Sequence, residues 1–475
     1  MDKKKSRFLL FWLIATGPLL FIVSISTSPS PSLPLPAQTS SSQQLVNYFK
    51  NLFDYDWDLG EDYIYNPLEE MLQQSYDRYG SGYTPYDSEH IQQEMSITPI
   101  FSPDNSESLL ISLIDNATTK LYIEQMYIYY EPEISDILQA IINAHSRGVE
   151  VKVIVGEGNS ESGETAENLT SYGIPVRVSV QNAGNGNYFD TMHNKGVISD
   201  DCVLISSINW SPTSITQNRE AGLIVESSLV TDYYEMIFDY DWVASEPFND
   251  LDHFDAYFPS SSGGNSVLNQ QDHTNEFATP TTFTGQFEVD VMVSPDNCFE
   301  ILENALLNAQ ESIYISVYTL SSPYLLEALR NRVAAGLDVR LLLEQNQFSS
   351  YEKKYNRHTL YNLTEIGVGG NLALGRWAAA ESEFTYQHSK YAIIDNETLI
   401  VSSGNWSRAS CPKPQDDEDV DGNRDWWILL NGDGSEGNGE QTPSDWSDLL
   451  IRYVLPGVGV LILVGVGYLI IKLFT

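Results

Sequence analysis

The chain has 475 residues, 42% of them hydrophobic, enough apolar material for two or three ordinary domains, so it reads as globular and not as a disordered polymer. Lys and Arg total 25 against 65 Asp and Glu, a formal net charge of -40 that works against any nucleic-acid binding dependent on long-range attraction. Cys202, Cys298 and Cys411 have no C-x-x-C spacing, so neither a zinc site nor a disulfide-dense scaffold is indicated, and at most one bridge can form.

In chain order, residues 1–26 open with Lys3-Lys4-Lys5 and continue into an apolar run over 8–26, the pattern of a signal peptide or signal anchor. Residues 27–96 begin Ser- and Pro-rich without periodicity and are expected to form a tether and membrane-proximal segment. Two similar α/β halves follow, at 97–243 and 287–430, separated by a low-complexity linker at 244–286. A second linker, 431–449, leads to an apolar run at 450–472 that is long enough for a transmembrane helix and closes with Lys472. Lysines beyond the outer ends of both apolar runs would face the cytoplasm, placing the body on the extracytoplasmic side of a cell membrane.

The similarity of the halves rests on recurring strings. FSPDN (101–105) returns as VSPDN (293–297), each opening a helix-like run. Each copy then presents a β-rich run, KLYIEQMYIYY (120–130) or SIYISVYTL (312–320), an amphipathic helix ending in Gly148 or Gly336, and a second buried strand. Strand, helix, strand implies a parallel βαβ core in each half. FDYDW occurs at 53–57 and at 238–242, and is expected to be a packing motif at helix ends.

The chemistry lies in a third repeat. H-x-K-x4-D occurs as His193, Lys195, Asp200 and again as His388, Lys390, Asp395, each followed by a strand and by Asn-Trp-Ser, with Asn209, Ser211 and Asn405, Ser407. Alternation along a strand puts His and Lys on one face. Two imidazoles suit phosphodiester chemistry, because one can attack phosphorus while the other protonates the departing alkoxide, and a single ring cannot do both in one step. Lysine, asparagine and serine donors can stabilise the phosphoryl oxygens, so no cofactor or metal is required. NREAGLIV (218–225) and NRDWWILL (423–430) offer Glu220 and Asp425 as carboxylates to orient the rings.

The duplicated H-x-K-x4-D with downstream Asn and Ser resembles the phospholipase D superfamily over roughly residues 97–430. The resemblance implies two pseudo-twofold-related halves forming one bilobal catalytic unit, flanked here by terminal hydrophobic helices. It also implies a shared site, with His193 and His388 as nucleophile and general acid and with Asp200 and Asp395 as structural helpers on the motif hairpins. This chain departs from the family in carrying Ser206-Ser207 and Ser402-Ser403 where Gly-Ser is common before the Asn. An insertion at 411–422 also lengthens the spacing from His388 to Asp425, read as its carboxylate partner.

Within that insertion Asp417, Asp419 and Asp421 are spaced like the start of a calcium loop, although the favoured reading is a solvated acidic loop. The expected partners are a lipid bilayer and a phosphodiester substrate, phospholipid ahead of nucleic acid; no protein partner is inferable. A nuclease of the same superfamily and a non-catalytic phosphate-binding module are the alternatives.

Overall fold

The structure, a computed structural model, describes residues 39–64, 86–180, 189–249, 254, 277–347, 350–378, 384–413, 422–432, 459–465 and 468–474. The first element is helix α1 (Ser41–Leu59), which starts at an Ser40 N-cap whose side chain accepts from the Gln43 amide at 3.1 Å. Leu45, Val46, Phe49, Leu52 and Phe53 recur at helical spacing on its buried side, and Asp56 falls on the same stripe. The segment expected to be a tether therefore contains, from Ser41, a helix built into the core. Its apolar stripe could not remain in water without a partner.

The first half supplies seven principal strands, β1 (Glu89–Ser102), β2 (Lys120–Gln125), β3 (Glu150–Gly156), β4 (Val176–Ser179), β5 (Lys195–Ser199), β6 (Cys202–Ser206) and β7 (Glu220–Glu226). The second half supplies seven equivalents, β8 (Phe283–Ser294), β9 (Ser312–Val317), β10 (Asp338–Leu343), β11 (Leu374–Trp377), β12 (Lys390–Ile394), β13 (Thr398–Ser402) and β14 (Asn423–Asn431). Pairings give the continuous order β4-β3-β2-β5-β6-β7-β1-β8-β14-β13-β12-β9-β10-β11. The second half of that order retraces the first. β2, β3 and β4 are mutually parallel, as are β9, β10 and β11, which bears out the expected βαβ cores; the remaining junctions are antiparallel.

The twofold passes between Glu94 and Gln286 where β1 and β8 pair. On one side Ile97 faces Phe283, and on the other Ile91 faces Val289, the same pairing with the copies exchanged. Helix α5 (Ser228–Ala244) is the counterpart of α1. It too begins at a serine cap, Ser227, and buries Val230, Tyr233, Tyr234, Ile237, Phe238 and then Asp241. Helices α1 and α5 share one apolar core with the inner sides of both sheet halves, including Phe101, Tyr122, Phe287, Tyr314 and Trp426. On the other side of the sheet, α2 (Ser106–Asp115), α3 (Ser135–Ser146) and α4 (Ser160–Ser171) cover the first half. In the second half α6 (Cys298–Asn308), α7 (Pro323–Ala335) and α8 (Ser350–Leu360) do the same.

The terminal hydrophobic helices are not borne out. Residues Gly459–Gly465 and Tyr468–Phe474 pair as an antiparallel hairpin, and among the described residues no helix is long and apolar enough to cross a membrane. Glycines and β-branched residues dominate this run, and both weaken a helix relative to extended backbone. The N-terminal run at 8–26 lies outside the described residues.

Candidate active site

Both histidines sit just before a central strand, β5 or β12, at the junction of the halves. The segment before β5 lies parallel to the start of β14, with Thr191 beside Asn423 and Met192 beside Arg424, and the His193 amide donates to the Arg424 carbonyl at 3.1 Å. In the other copy Arg219 bridges to Gln387, and the His388 amide donates to the Arg219 carbonyl at 2.8 Å. Each histidine is thereby laid against the carboxylate-bearing strand of the opposite half.

The consequence is an exchange of partners. His193 Nδ1 lies 2.7 Å from Asp425 Oδ1, and His388 Nδ1 lies 2.8 and 2.9 Å from the two oxygens of Glu220. The expected pairing of His388 with Asp425 is therefore corrected, because the parallel contact at the domain junction, not the length of the 411–422 insertion, sets which carboxylate each ring meets. With Nδ1 donating to a carboxylate, Nε2 is left as the basic nitrogen of each neutral ring.

The carboxylates are held in turn. Ser207 Oγ donates to Glu220 Oε2 at 2.6 Å, and Ser403 Oγ donates to Asp425 Oδ1 at 2.8 Å. Asn218 Nδ2 adds a bond of 3.2 Å to Glu220 Oε1. Glu220 and Asp425 are completely buried. Burial raises their pKa, but histidine, lysine and serine donors outweigh it and hold both below the usual carboxylate range.

The lysines are buried beside the rings. Lys195 Nζ donates to the His193 carbonyl, and Lys390 Nζ to the His388 carbonyl. Burial pushes the Lys195 ammonium down to about 8, against the opposing pull of Asp425 and Glu220. Burial likewise lowers both histidines, His388 to about 4, despite Glu220 and Asp425 drawing them up. His193 also feels the charge of Lys390, and His388 that of Lys195, so the two His-Lys pairs share one electrostatic site. Tyr318 packs edge-on against the His388 ring at 4.9 Å.

Asn209 and Asn405 each precede a fully buried tryptophan, Trp210 or Trp406, that bridges to Ile128 or Leu320. Asn209 Oδ1 and Asn405 Oδ1 are buried without a hydrogen bond to protein among the described residues. Ser211 and Ser407 instead cap the turns that follow, accepting from the Ser214 and Ser410 amides at 3.4 and 3.1 Å. Asp200 and Asp395 are not brought to the cluster. Each occupies a hairpin tip with positive φ, 51° and 55°. Asp200 accepts from the Thr118, Thr119 and Lys120 amides at 2.8–3.0 Å, and Asp395 from those of Gln310, Glu311 and Ser312 at 2.7–2.8 Å. They tie the hairpin to the start of β2 or β9, the supporting part implied for them. Asp417, Asp419 and Asp421 lie outside the described residues, while Asp425, which continues their spacing, is occupied by His193 and Ser403.

Sequence reasoning missed a layer beneath the carboxylates. Arg219, adjacent to Glu220, is completely buried; its Nε meets Asp56 Oδ1 at 3.0 Å, and its Nη1 meets Asp104 Oδ2 at 2.5 Å and the Ser102 carbonyl at 3.2 Å. Arg424, adjacent to Asp425, repeats the arrangement with Asp241 at 2.9 Å, Asp296 at 2.8 Å and the Ser294 carbonyl at 3.0 Å. The FDYDW strings thus supply the aspartates that fix each arginine, a larger role than helix-end packing. The signal was the joint repetition of FDYDW, SPDN and Asn-Arg.

A family model described as cardiolipin synthase, PLD-like domain, matches residues 110–242 and 302–421, together more than half of the chain, with one His-Lys pair in each segment. Phospholipase D Z of Dictyostelium discoideum is 25% identical over 299 residues, spanning 57% of this chain and 67% of that protein. Mitochondrial cardiolipin hydrolase of Xenopus tropicalis is 29% identical over 151 residues, 31% of this chain and 67% of its own length. Among solved structures, phosphatidylserine synthase of Haemophilus influenzae Rd KW20 is 14% identical, covering 70% of this chain and 82% of that one with a TM-score of 0.48.

Proposed function

The chain belongs to the phospholipase D superfamily, matching over more than half its length the PLD-like domain of cardiolipin synthases, and from that premise we propose that it cleaves or transfers a phosphodiester through a phosphohistidine, with a phospholipid as substrate. One observation carries the reading: two histidines with Nδ1 fixed by buried carboxylates and Nε2 left free of them, beside two buried lysines. In the first step Nε2 of one histidine bonds to phosphorus as the phosphorus–oxygen bond to the leaving group breaks. The other histidine, whose affinity for a proton rises when the negative phosphodiester occupies the site, is protonated at Nε2 and gives that proton to the departing alkoxide. Water or an alcohol then attacks the phosphohistidine and gives its proton back to that second ring, which restores both histidines. Asp425 and Glu220 stabilise the imidazolium forms, and Lys195, Lys390, Asn209 and Asn405 take the charge on the phosphoryl oxygens.

A phospholipid is favoured over nucleic acid because a net charge of -40 repels an extended polyanion, whereas a head group presents one or two phosphates. The names of the phospholipase D and cardiolipin hydrolase relatives support the same choice. The apolar run at 8–26, with Lys3-Lys4-Lys5 before it, supports a body held at a lipid surface on the extracytoplasmic side of a cell membrane.

The test is turnover by the purified protein, with EDTA present, against phospholipid vesicles, single- and double-stranded DNA and bis(p-nitrophenyl) phosphate. Lipid turnover abolished by His193→Ala and by His388→Ala is the expected result. Turnover of DNA alone would assign the protein to the nucleases, and none at all would favour a phosphate-binding module.

A further inference from the structure

Cys298 and Cys411 lie in different parts of the second half, yet their sulfurs are 3.4 Å apart and both side chains are completely buried. Cys298 opens helix α6, two residues after Asp296, the aspartate that holds Arg424. Cys411 stands where the 411–422 insertion leaves the fold, its amide bonded to the Ser407 carbonyl at 2.9 Å. The far end of the insertion returns to the same place: the Asn423 amide donates to the Ala409 carbonyl, and Ser294 Oγ donates to the Asn423 carbonyl at 2.8 Å. Gly422 is wedged so closely there that a Cβ would meet Ala409, Pro295 and Pro412 within 2.9 Å.

The first half is an internal control. Its counterpart of Cys298 is Ser106, since Asn105 and Asn297 make the same side-chain bond back to their strands at 2.8 and 2.9 Å. Its counterpart of Cys411 is Ile215, whose amide bonds to the Ser211 carbonyl as that of Cys411 bonds to Ser407. Ser106 Oγ reaches the Ile215 carbonyl at 3.4 Å, so the two positions touch in both halves, but only the half bearing the insertion places sulfur at each.

We infer that Cys298 and Cys411 are a disulfide site that staples the root of the 411–422 insertion to the first turn of α6, beside the Asp296–Arg424–Asp425 support of His193. Closure to the bonded distance of about 2.05 Å requires the sulfurs to approach by little more than 1 Å. Two S–H bonds break and one S–S bond forms; two electrons and two protons pass to a disulfide oxidant, either a small molecule or a thiol–disulfide oxidoreductase, which leaves as two thiols. Because both sulfurs are sealed from solvent, the bond forms while the chain folds. Cys202 takes no part: it lies apart, half-buried beside Asp200, Asp201 and Glu226, and burial pushes its thiol up to about 11.

The experiment is to produce the full chain by export through an oxidising compartment and, separately, in a reducing cytosol, then alkylate under denaturing conditions and map the peptides without reductant. Both hosts are chosen by the experimenter, so the result does not depend on where the protein resides or what it cleaves. The expected result is a single linked species joining the Cys298 and Cys411 peptides, lighter by two hydrogen atoms than the pair of thiols, with Cys202 alkylated; cytosolic material has all three alkylated. Reductant should lower the melting temperature of the exported protein by several degrees and leave that of a Cys298→Ser/Cys411→Ser variant unmoved. Three alkylated cysteines in exported, folded protein, or a linked pair whose reduction leaves melting unchanged, would overturn the proposal.

Discussion

At the scale of single residues, the site divides into groups that face the chemistry and groups that hold them. Replacing His193 or His388 by Ala should reduce turnover at least about 1,000-fold while leaving the far-ultraviolet circular dichroism intact, because each ring carries either bond formation or proton transfer. Asp200→Ala and Asp395→Ala should leave turnover within about twofold but cost about 1–3 kcal/mol in urea unfolding, since each releases three backbone amides. The pH dependence follows from two displaced groups. The folded His388 titrates near 4, below the 6.5 of an unperturbed ring. The unfolded chain therefore binds a proton that the folded chain refuses between those values, and stability falls as pH drops through that window. A His388→Gln variant should show a shallower fall. Lys195 titrates near 8 and loses its charge above that value, so kcat/KM toward bis(p-nitrophenyl) phosphate should decline on the alkaline side; a flat profile to pH 10 would exclude Lys195 as the charged phosphate ligand.

At the scale of elements, α1 and α5 each reach the site through one aspartate. Asp56 lies on the buried stripe of α1 one turn beyond Phe53, and Asp241 on that of α5 one turn beyond Phe238, so amphipathic spacing alone delivers a carboxylate beneath each arginine. A neutral replacement of Arg219 strands Asp56 and Asp104 in the interior. Arg219→Met should cost about 3–5 kcal/mol in chemical denaturation and should lower turnover although the guanidinium touches no reacting atom. Arg219→Lys keeps the charge but loses the planar fork that meets two carboxylates, and should recover only part of either loss.

At the scale of the whole molecule, the exchange of partners makes the halves interdependent. His193 is completed by Asp425 and His388 by Glu220, so the two halves produced separately should each lack measurable turnover, and their coexpression should restore it. If either half alone turned over substrate at a rate near that of the full chain, the interdigitated site would be wrong. The continuous sheet through β1 and β8 supplies the interface that holds the exchange in place.

Much of this was legible in the sequence because repetition separates meaning from accident. The paired H-x-K-x4-D, SPDN and Asn-Arg strings located two α/β halves and the histidines, lysines and supporting carboxylates, each identifiable by residue type and spacing along its own strand. Local pattern placed a helix end at both FDYDW strings, but the Ser- and Pro-rich start of the tether gave no sign that the first of these helices is built into the core, because its apolar stripe acquires meaning only against strands formed hundreds of residues later. The apolar run at 450–472 read as a helix by length, whereas its glycine and β-branched content permits the antiparallel pairing of Gly459–Gly465 with Tyr468–Phe474. Spacing along the chain determined which residues would act. Which carboxylate serves which histidine, and which aspartates lie beneath them, was decided only in three dimensions, because the parallel contacts that bring residues 191–193 to 423–425 and 387–388 to 219–220 arise from packing two halves about a twofold axis.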